Sequence, residues 1–333
     1  MAIVRGTHDV SATTGGRRLS RALVSLLIAL GWIAGYFLIF PTAIDAAAQP
    51  DSSPYGDIER VDYVAMGDSY SSGEGSPPYD SGSGQRDRVC HRSREAWPRQ
   101  LANISPEIRA PLLVACTGAE TKHVEHWYKG SPPQTDALSL LISNEGNRDL
   151  LTMSIGGNDA GFGNWVFRCT IATCSPQWLR YIMYYDVDKA AEKVGRLLGS
   201  VDSRLRSMRA NPYRVLVGYP RFFPKDPSQQ PCRALVYASG INRLTREEQL
   251  ALNDAANRLD RALRATANRS GWQYVSLLDA FEGHEICTEQ PYMWGFEKVS
   301  TPGGGGYGSM RFHPNASGYS KMARAVFESI SFN

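Results

Sequence analysis

The sequence predicts an α/β protein with a parallel sheet. Short apolar segments recur along the chain, and each is long enough for one strand; they begin near residues 61, 111, 149, 213 and 272. Amphipathic patterns with the 3.6-residue period of a helix lie between and after them, around residues 194–208, 252–263 and 319–330. Strands that alternate with helices indicate right-handed β-α-β crossovers, which place the strands parallel in one sheet.

Length and composition agree with a packed globular domain. The chain has 333 residues, of which 42% are hydrophobic and 21% are charged, and these fractions are typical of folded domains. Its 36 basic and 33 acidic residues nearly cancel, leaving a formal net charge of +3. This balance gives no reason to expect a nucleic-acid partner.

The N-terminal part of the chain has the pattern of an export signal. Residues 22–40 carry no charge, follow three arginines and are followed by an Ala-x-Ala cleavage pattern that ends at Ala48. A basic start, an apolar core and a small-residue exit predict a signal over residues 1–48. The apolar run is also as long as a membrane span, so an uncleaved membrane anchor is the alternative.

The remaining chain is predicted to lie outside the cytoplasm, either secreted or anchored to the membrane. Residues 49–60 are rich in small and polar residues and have the composition of a linker, which leaves residues 61–333 as the folded domain.

Six cysteines follow the export segment: Cys90, Cys116, Cys169, Cys174, Cys232 and Cys287. An even number of cysteines in an exported chain predicts three disulfides, but the sequence alone allows about 15 pairings. The chain contains neither a C-x-x-C nor an H-E-x-x-H pattern, so we predict no metal site and no cofactor.

Polar residues and glycines follow three of the predicted strands. They form the clusters Gly67-Asp68-Ser69, Thr117-Gly118 and Gly156-Gly157-Asn158-Asp159. Because the carboxyl ends of parallel strands share one edge of a sheet, where α/β proteins bind ligands, we expect these clusters to converge on one crevice.

These clusters, together with His313 before the last predicted helix, contain the groups that acyl transfer needs. A serine hydroxyl is a weak nucleophile until a base, most often histidine, removes its proton. Backbone N–H groups and an asparagine side chain can stabilise the oxyanion of a tetrahedral intermediate. Ser69, His313, Gly118 and Asn158 could together supply all of these functions.

Four short motifs carry a resemblance to a known family. "GDSYSSGEG", the strand end at Gly118, "GGNDAGFG" and "FHPN" occur in this order and resemble the four blocks of the SGNH (GDSL) hydrolase superfamily. The resemblance covers roughly residues 61–330 and is greatest to the secreted actinobacterial esterases and lipases with three disulfides. It implies a three-layer α/β/α sandwich with a five-stranded parallel sheet.

The resemblance also implies roles for individual residues. Ser69 would be the nucleophile and His313 the base. The oxyanion hole would consist of the Ser69 N–H, the Gly118 N–H and the Asn158 side chain. The implied disulfides are Cys90–Cys116, Cys169–Cys174 and Cys232–Cys287.

One position departs from the family pattern. Most members carry an aspartate three residues before the catalytic histidine, where this chain has Met310. An orienting acceptor fixes the tautomer of the histidine, and we expect the backbone carbonyl of Met310 to fulfil this role. The alternative is a distant carboxylate that folds into the site, from Glu282, Glu285 or Glu297.

The sequence therefore predicts an extracytoplasmic serine ester hydrolase that cleaves acyl esters of small molecules or lipids and acts as a monomer. Two alternatives remain at this stage: an O-acetyl esterase acting on cell-wall or other glycans, and a non-catalytic cell-surface module with the same fold. The G-x-S-x-G elbow of the unrelated α/β-hydrolases does not occur in the chain.

Overall fold

Five parallel strands form the central sheet, in the order β2-β1-β3-β4-β7. The strands are β1 (Tyr63–Gly67), β2 (Leu112–Leu113), β3 (Leu150–Ser154), β4 (Tyr213–Val217) and β7 (Gln273–Val275). Every residue of β1 and β3 is buried, as expected for strands with both faces covered. The predicted α/β fold with a five-stranded parallel sheet is confirmed.

The computed structural model describes residues 61–80, 89–141, 149–227, 232–237, 240–295 and 310–330, all within the unit Ile58–Asn333. The predicted export segment and linker, residues 1–60, lie outside the described residues. Within the described ranges, no helix is both long enough and apolar enough to cross a membrane.

Helices connect and cover the strands. They are α1 (Ser69–Ser72), α2 (Trp97–Ile104), α3 (Thr121–Glu125), a 3-10 helix (Gln134–Leu141), α4 (Phe162–Ile171), α5 (Gln177–Ser207), α6 (Arg246–Arg269) and α7 (Ala316–Ser329). The long helices α5 and α6 pack against each other, and α2 packs against α7. The three helical patterns in the sequence correspond to parts of α5, α6 and α7.

An antiparallel hairpin, β5 (Cys232–Tyr237) and β6 (Gly240–Leu244), was not predicted. Among the described strands, these two pair with each other and lie outside the five-stranded sheet, so the rule for strands of a parallel sheet did not identify them.

The structure contains the three disulfides implied by the family resemblance. The disulfides join Cys90 to Cys116, Cys169 to Cys174 and Cys232 to Cys287. The first links the chain after the nucleophile motif to the end of β2, and the second links the end of α4 to the segment before α5.

The start of α7 positions the predicted base. The Asn315 side chain caps this helix by accepting a hydrogen bond from the Gly318 N–H at 3.0 Å. Such a cap satisfies one of the free N–H groups of the first turn and fixes where the helix begins. His313 therefore lies in the last residues before a defined helix start.

Candidate active site

The nucleophile motif forms a sharp turn from β1 into α1. Gly67 has a φ of +128°, and a Cβ at this position would collide with the carbonyl of Ser154 on the neighbouring strand β3. Only glycine fits both this conformation and this space. Asp68 then caps α1, its Oδ1 accepting a hydrogen bond from the Tyr70 N–H at 3.0 Å. The turn places Ser69 at the first position of α1, at the carboxyl end of β1.

Ser69 and His313 are in direct contact. The Ser69 Oγ lies 2.8 Å from the His313 Nε2, within the range that a general base requires. Two tyrosines hold the segments that carry them. The Tyr70 hydroxyl donates to the carbonyl of Phe312, and the Tyr319 hydroxyl on α7 donates to the carbonyl of Glu74 at 2.6 Å. The serine and histidine, 244 residues apart in sequence, are thereby held side by side.

The group that faces the other nitrogen of His313 differs from the one expected. His313 Nδ1 lies 2.9 Å from the carbonyl of Arg311, so the expectation that Met310 provides this carbonyl is wrong. The Met310 carbonyl instead accepts the backbone N–H of His313 at 3.2 Å. The reason is a tight turn: Phe312 has a φ of +60°, which brings the carbonyl two residues before the histidine towards the imidazole ring.

The two described glutamates considered as alternatives have other partners. Glu282 accepts a hydrogen bond from Lys225 at 3.0 Å, and the buried carboxylate of Glu285 accepts the Gly283 N–H at 2.8 Å. Glu297 lies outside the described residues. For Glu282 and Glu285, the structure therefore gives no support to a role as a relocated triad acid.

The predicted oxyanion donors lie at the same edge of the sheet. The Cys116 N–H donates to the Gly67 carbonyl at 3.1 Å, which brings the Gly118 turn beside the nucleophile turn. Gly118 has a φ of +76°. One N–H of the Asn158 amide donates to the Ala119 carbonyl at 2.9 Å. The second N–H of this amide has no acceptor among the residues that the structure describes.

Both backbone donors are also available. Within the described part of the chain, the N–H groups of Ser69 and Gly118 donate to no backbone or side-chain acceptor. Donors left open beside a nucleophile are what an oxyanion hole requires before substrate binds.

Tyr219, which follows β4, belongs to the site although sequence reasoning did not select it. Its hydroxyl donates to the Asp68 Oδ2 at 2.6 Å and accepts the Gly157 N–H at 3.0 Å. Burial raises the pKa of Asp68 to about 7, although the Tyr219 hydrogen bond opposes this shift. The signal that could have identified Tyr219 was its position: a tyrosine directly after an apolar strand lies at the edge where ligands bind.

A second buried carboxylate lies behind the nucleophile loop and was also missed. Glu74 is fully buried, and its Oε2 lies 2.5 Å from the His91 Nδ1. Burial alone would raise the pKa of Glu74, but the hydrogen bond from His91 and the charges of His313 and His91 outweigh burial and lower it. Glu74 therefore places negative charge close to His313.

A cavity opens beside Ser69, His313 and Asn158. Its walls are mostly apolar and aromatic, and include Phe162, Val166, Phe222, Leu259 and Phe312. Ligand pockets of this kind combine apolar walls with a few oriented polar groups, and these walls suit an acyl chain. Among the residues that the structure describes, no cluster of histidine, cysteine and acidic side chains could hold a metal ion.

The fold and the site define a class of protein. At the carboxyl edge of the parallel sheet, a serine contacts a histidine beside open N–H donors and an apolar cavity. This combination is characteristic of a carboxylic ester hydrolase.

Comparisons with known proteins agree. The model of the GDSL-like Lipase/Acylhydrolase family matches residues 65–321. A lipase from Streptomyces rimosus is 31% identical over 302 residues, which cover 90% of this chain and 97% of that lipase. Lipase 1 from Streptomyces coelicolor is 31% identical over 295 residues, which cover 87% of this chain and 94% of the relative. The chain therefore belongs to the GDSL-like lipase/acylhydrolase family.

Solved structures give the same result. The crystal structure of the extracellular lipase from Streptomyces rimosus is similar over 81% of this chain and all of its own, with a TM-score of 0.59 and 27% identity. The crystal structure of phospholipase A1 from Streptomyces albidoflavus covers the same shares, with a TM-score of 0.56 and 29% identity. The resemblance found in the four sequence motifs is confirmed.

Proposed function

We propose that this family member hydrolyses lipid acyl esters outside the cytoplasm through a Ser69 acyl-enzyme, without a cofactor. The observation that carries the proposal is the 2.8 Å contact between the Ser69 Oγ and the His313 Nε2 at the wall of an apolar cavity. A hydroxyl in hydrogen-bond contact with an imidazole can lose its proton as it attacks a carbonyl carbon.

The proposed reaction has two halves. The Ser69 Oγ forms a bond to the ester carbonyl carbon while His313 takes the hydroxyl proton, and the resulting oxyanion is bound by the Ser69 and Gly118 N–H groups and the Asn158 amide. The intermediate then expels the alcohol, which takes the proton from His313. Water repeats the sequence on the acyl-enzyme, releasing the carboxylic acid and restoring Ser69.

Hydrogen bonding prepares His313 for both halves. A carbonyl at Nδ1, here that of Arg311 at 2.9 Å, keeps the proton on that nitrogen and leaves Nε2 free to accept the serine proton. The negative charge of nearby Glu74 favours the imidazolium that forms when His313 accepts this proton.

Two observations support the substrate class and the location. The cavity walls are apolar over several aromatic and aliphatic side chains, which favours a longer acyl chain over the acetyl group of a glycan, and the contact between Ser69 and His313 disfavours a non-catalytic module. Three disulfides and a relative described as extracellular favour an oxidising compartment outside the cytoplasm.

The test uses a serine-directed phosphonate and chromogenic esters of graded chain length. We expect the phosphonate to label the wild-type protein and Ser71→Ala, which removes a different buried hydroxyl from α1, but not Ser69→Ala. Hydrolysis should rise from acetyl to medium-chain esters and be lost in Ser69→Ala. Labelling of Ser69→Ala, or a preference for acetylated glycans over acyl esters, would contradict the proposal.

A further inference from the structure

Arg311 contributes a positive charge to the wall of the catalytic cavity. Its side chain is half-buried, and the Nε atom is buried without a hydrogen-bond partner. Within the described ranges the guanidinium forms no ion pair. A guanidinium remains charged at all physiological pH values, so Arg311 adds to the cavity lining a cation for which the described residues provide no ion-pair partner.

The two carboxylates that line the same cavity are bound to other groups. Asp68 accepts hydrogen bonds from Tyr219 and from the Tyr70 N–H. Asp260 accepts the hydroxyls of Tyr274 at 2.9 Å and Ser276 at 2.6 Å. Asp260 also lies 3.6 Å from the guanidinium of Arg264. Neither Asp68 nor Asp260 is within ion-pair distance of Arg311.

Two other arginines that are withdrawn from solvent each pair with a carboxylate. Arg221, which is buried, lies 2.6 Å from Asp279, and Arg214 lies 2.9 Å from Asp202. A buried polar group without a partner is unfavourable, and proteins retain such groups where a ligand completes them. Among the described residues, no carboxylate pairs with Arg311 in this way, so an anionic ligand is the partner that this position invites.

The position of Arg311 restricts what that partner can be. Its own carbonyl contacts His313, and the residue lines the same cavity as Ser69 and His313, so a ligand at Ser69 lies close to Arg311. A guanidinium presents a planar fork of N–H donors that matches the oxygen pairs of phosphate groups. In a glycerophospholipid, the acyl esters and the phosphodiester are carried by one glycerol, so one molecule can present an ester to Ser69 and an anion to Arg311.

We propose that Arg311 binds the phosphodiester of a glycerophospholipid whose acyl ester lies at Ser69. This inference rests on the proposed ester hydrolysis and deepens it: the apolar wall receives the acyl chain and Arg311 selects an anionic headgroup. Arg311 is thus a specificity residue through its side chain, independently of the backbone carbonyl that orients His313.

The test compares two soluble substrates below their critical micelle concentrations: dihexanoyl phosphatidylglycerol and the uncharged dihexanoylglycerol. The measured quantity is kcat/KM for the phosphatidylglycerol divided by kcat/KM for the uncharged dihexanoylglycerol. Hydrogen bonds to charged groups correspond to about 10- to 100-fold in affinity, so Arg311→Met should lower this ratio by about that factor. Arg311→Lys keeps the charge but loses the planar pair of N–H donors, so its ratio should lie between those of Arg311→Met and the wild type.

A control variant removes the same charge elsewhere. Arg196 is exposed on α5 and does not line the cavity, so Arg196→Met should leave the ratio unchanged. An unchanged ratio in Arg311→Met would overturn the proposal, because a structural role would reduce both activities equally. A hexanoyl hemiester that bears a carboxylate is the third substrate. If Arg311→Met lowers kcat/KM more for this hemiester than for the phospholipid, Arg311 binds carboxylates and the phosphodiester assignment is overturned.

Binding of a non-hydrolysable analogue separates this proposal from ester hydrolysis itself. The dihexyl diether of the same phospholipid has no ester to cleave, and calorimetry on Ser69→Ala and on the double variant with Arg311→Met measures its affinity directly. We expect the double variant to bind about 10- to 100-fold more weakly. Equal affinities would overturn the role of Arg311, whereas absence of hydrolysis with this difference intact would contradict only the proposed reaction.

Discussion

The hydroxyl of Tyr219 lies 2.6 Å from the Oδ2 of Asp68. The same hydroxyl accepts the Gly157 N–H at 3.0 Å, and its ring packs so closely that a Cβ on Gly157 would lie 3.1 Å from it. Asp68 precedes the proposed nucleophile Ser69, and Gly157 precedes the proposed oxyanion donor Asn158. One phenol therefore connects the two loops whose separation determines whether a bound carbonyl reaches both Ser69 and Asn158.

Removing this hydroxyl should affect turnover more than substrate binding. In Tyr219→Phe, the Gly157 N–H and the Asp68 carboxylate both lose a buried partner, so the two loops are no longer held at a fixed distance. Small displacements of catalytic groups can lower rates by about 100-fold. We expect kcat to fall by about 10- to 100-fold with a smaller change in KM, measured with a soluble hexanoyl ester.

Tyr63→Phe is the matched control. Its hydroxyl also forms a buried hydrogen bond, to Thr152 at 2.9 Å, but within the sheet and away from both loops. Its kcat should stay close to that of the wild type even if its thermal stability decreases. If both variants lose kcat in proportion to stability, Tyr219 has only a structural role.

The Asn158 amide should act through the transition state. Its free N–H would bond to an oxygen that becomes negative only as the serine attacks, and removal of one such donor lowers turnover by about 10²–10³-fold. Asn158→Ala should therefore reduce kcat by this order while KM changes little, in steady-state assays on the same ester. A change in KM alone would show that Asn158 binds ground-state substrate instead.

Sequence patterns predicted those parts of the fold and of the site that depend on one local rule. The five strands were visible because strands buried on both faces need continuous apolar residues. Gly67-Asp68-Ser69 was visible because glycine and small polar residues directly after such a strand are typical of a ligand-binding turn at the sheet edge. The pair of Ser69 and His313 followed from chemistry, since a serine nucleophile requires a base.

Contacts between distant segments were not predictable in this way. The Met310 expectation failed because the left-handed turn at Phe312, a residue that rarely adopts positive φ, moves the relevant carbonyl to Arg311. Tyr219 was missed because its role depends on a hydrogen bond to a residue 151 positions away. The Arg311 Nε, which has no hydrogen-bond partner among the described residues, could not be recognised before its surroundings were known.

The buried carboxyl of Asp68 should make the folded protein less stable as pH rises. Its pKa in the folded protein is about 7, above the ordinary value of 3.8, so between these values the native state holds a proton that the unfolded chain has lost. The free energy of unfolding should therefore fall as pH rises from about 4 to about 7 and then level off. The groups that face Asp68 are Tyr219, Tyr70, Asp159 and Tyr319.

Asp68→Asn removes this titration and provides the comparison. Urea unfolding at a series of pH values and constant ionic strength should show the stability of the wild type declining relative to Asp68→Asn across this interval. Only the slopes are compared, because the substitution also changes the absolute stability. Parallel curves for the two proteins would show that Asp68 ionises at its ordinary pKa.

The last prediction concerns what orients His313. The Arg311 carbonyl already lies 2.9 Å from Nδ1, and a carbonyl fixes the tautomer of the imidazole without carrying a full charge. Glu282→Gln and Glu285→Gln should therefore leave kcat within a few-fold of the wild type, because both carboxylates are bound to Lys225 and Gly283, respectively. Glu297→Gln tests the third glutamate in the same way, and we expect the same small effect. Steady-state kcat on a hexanoyl ester is the measurement, with circular dichroism to verify folding. Neutralising a true triad acid lowers kcat by about 10⁴-fold, so a loss of that order in any one of the three would identify a relocated acid and contradict orientation by the backbone.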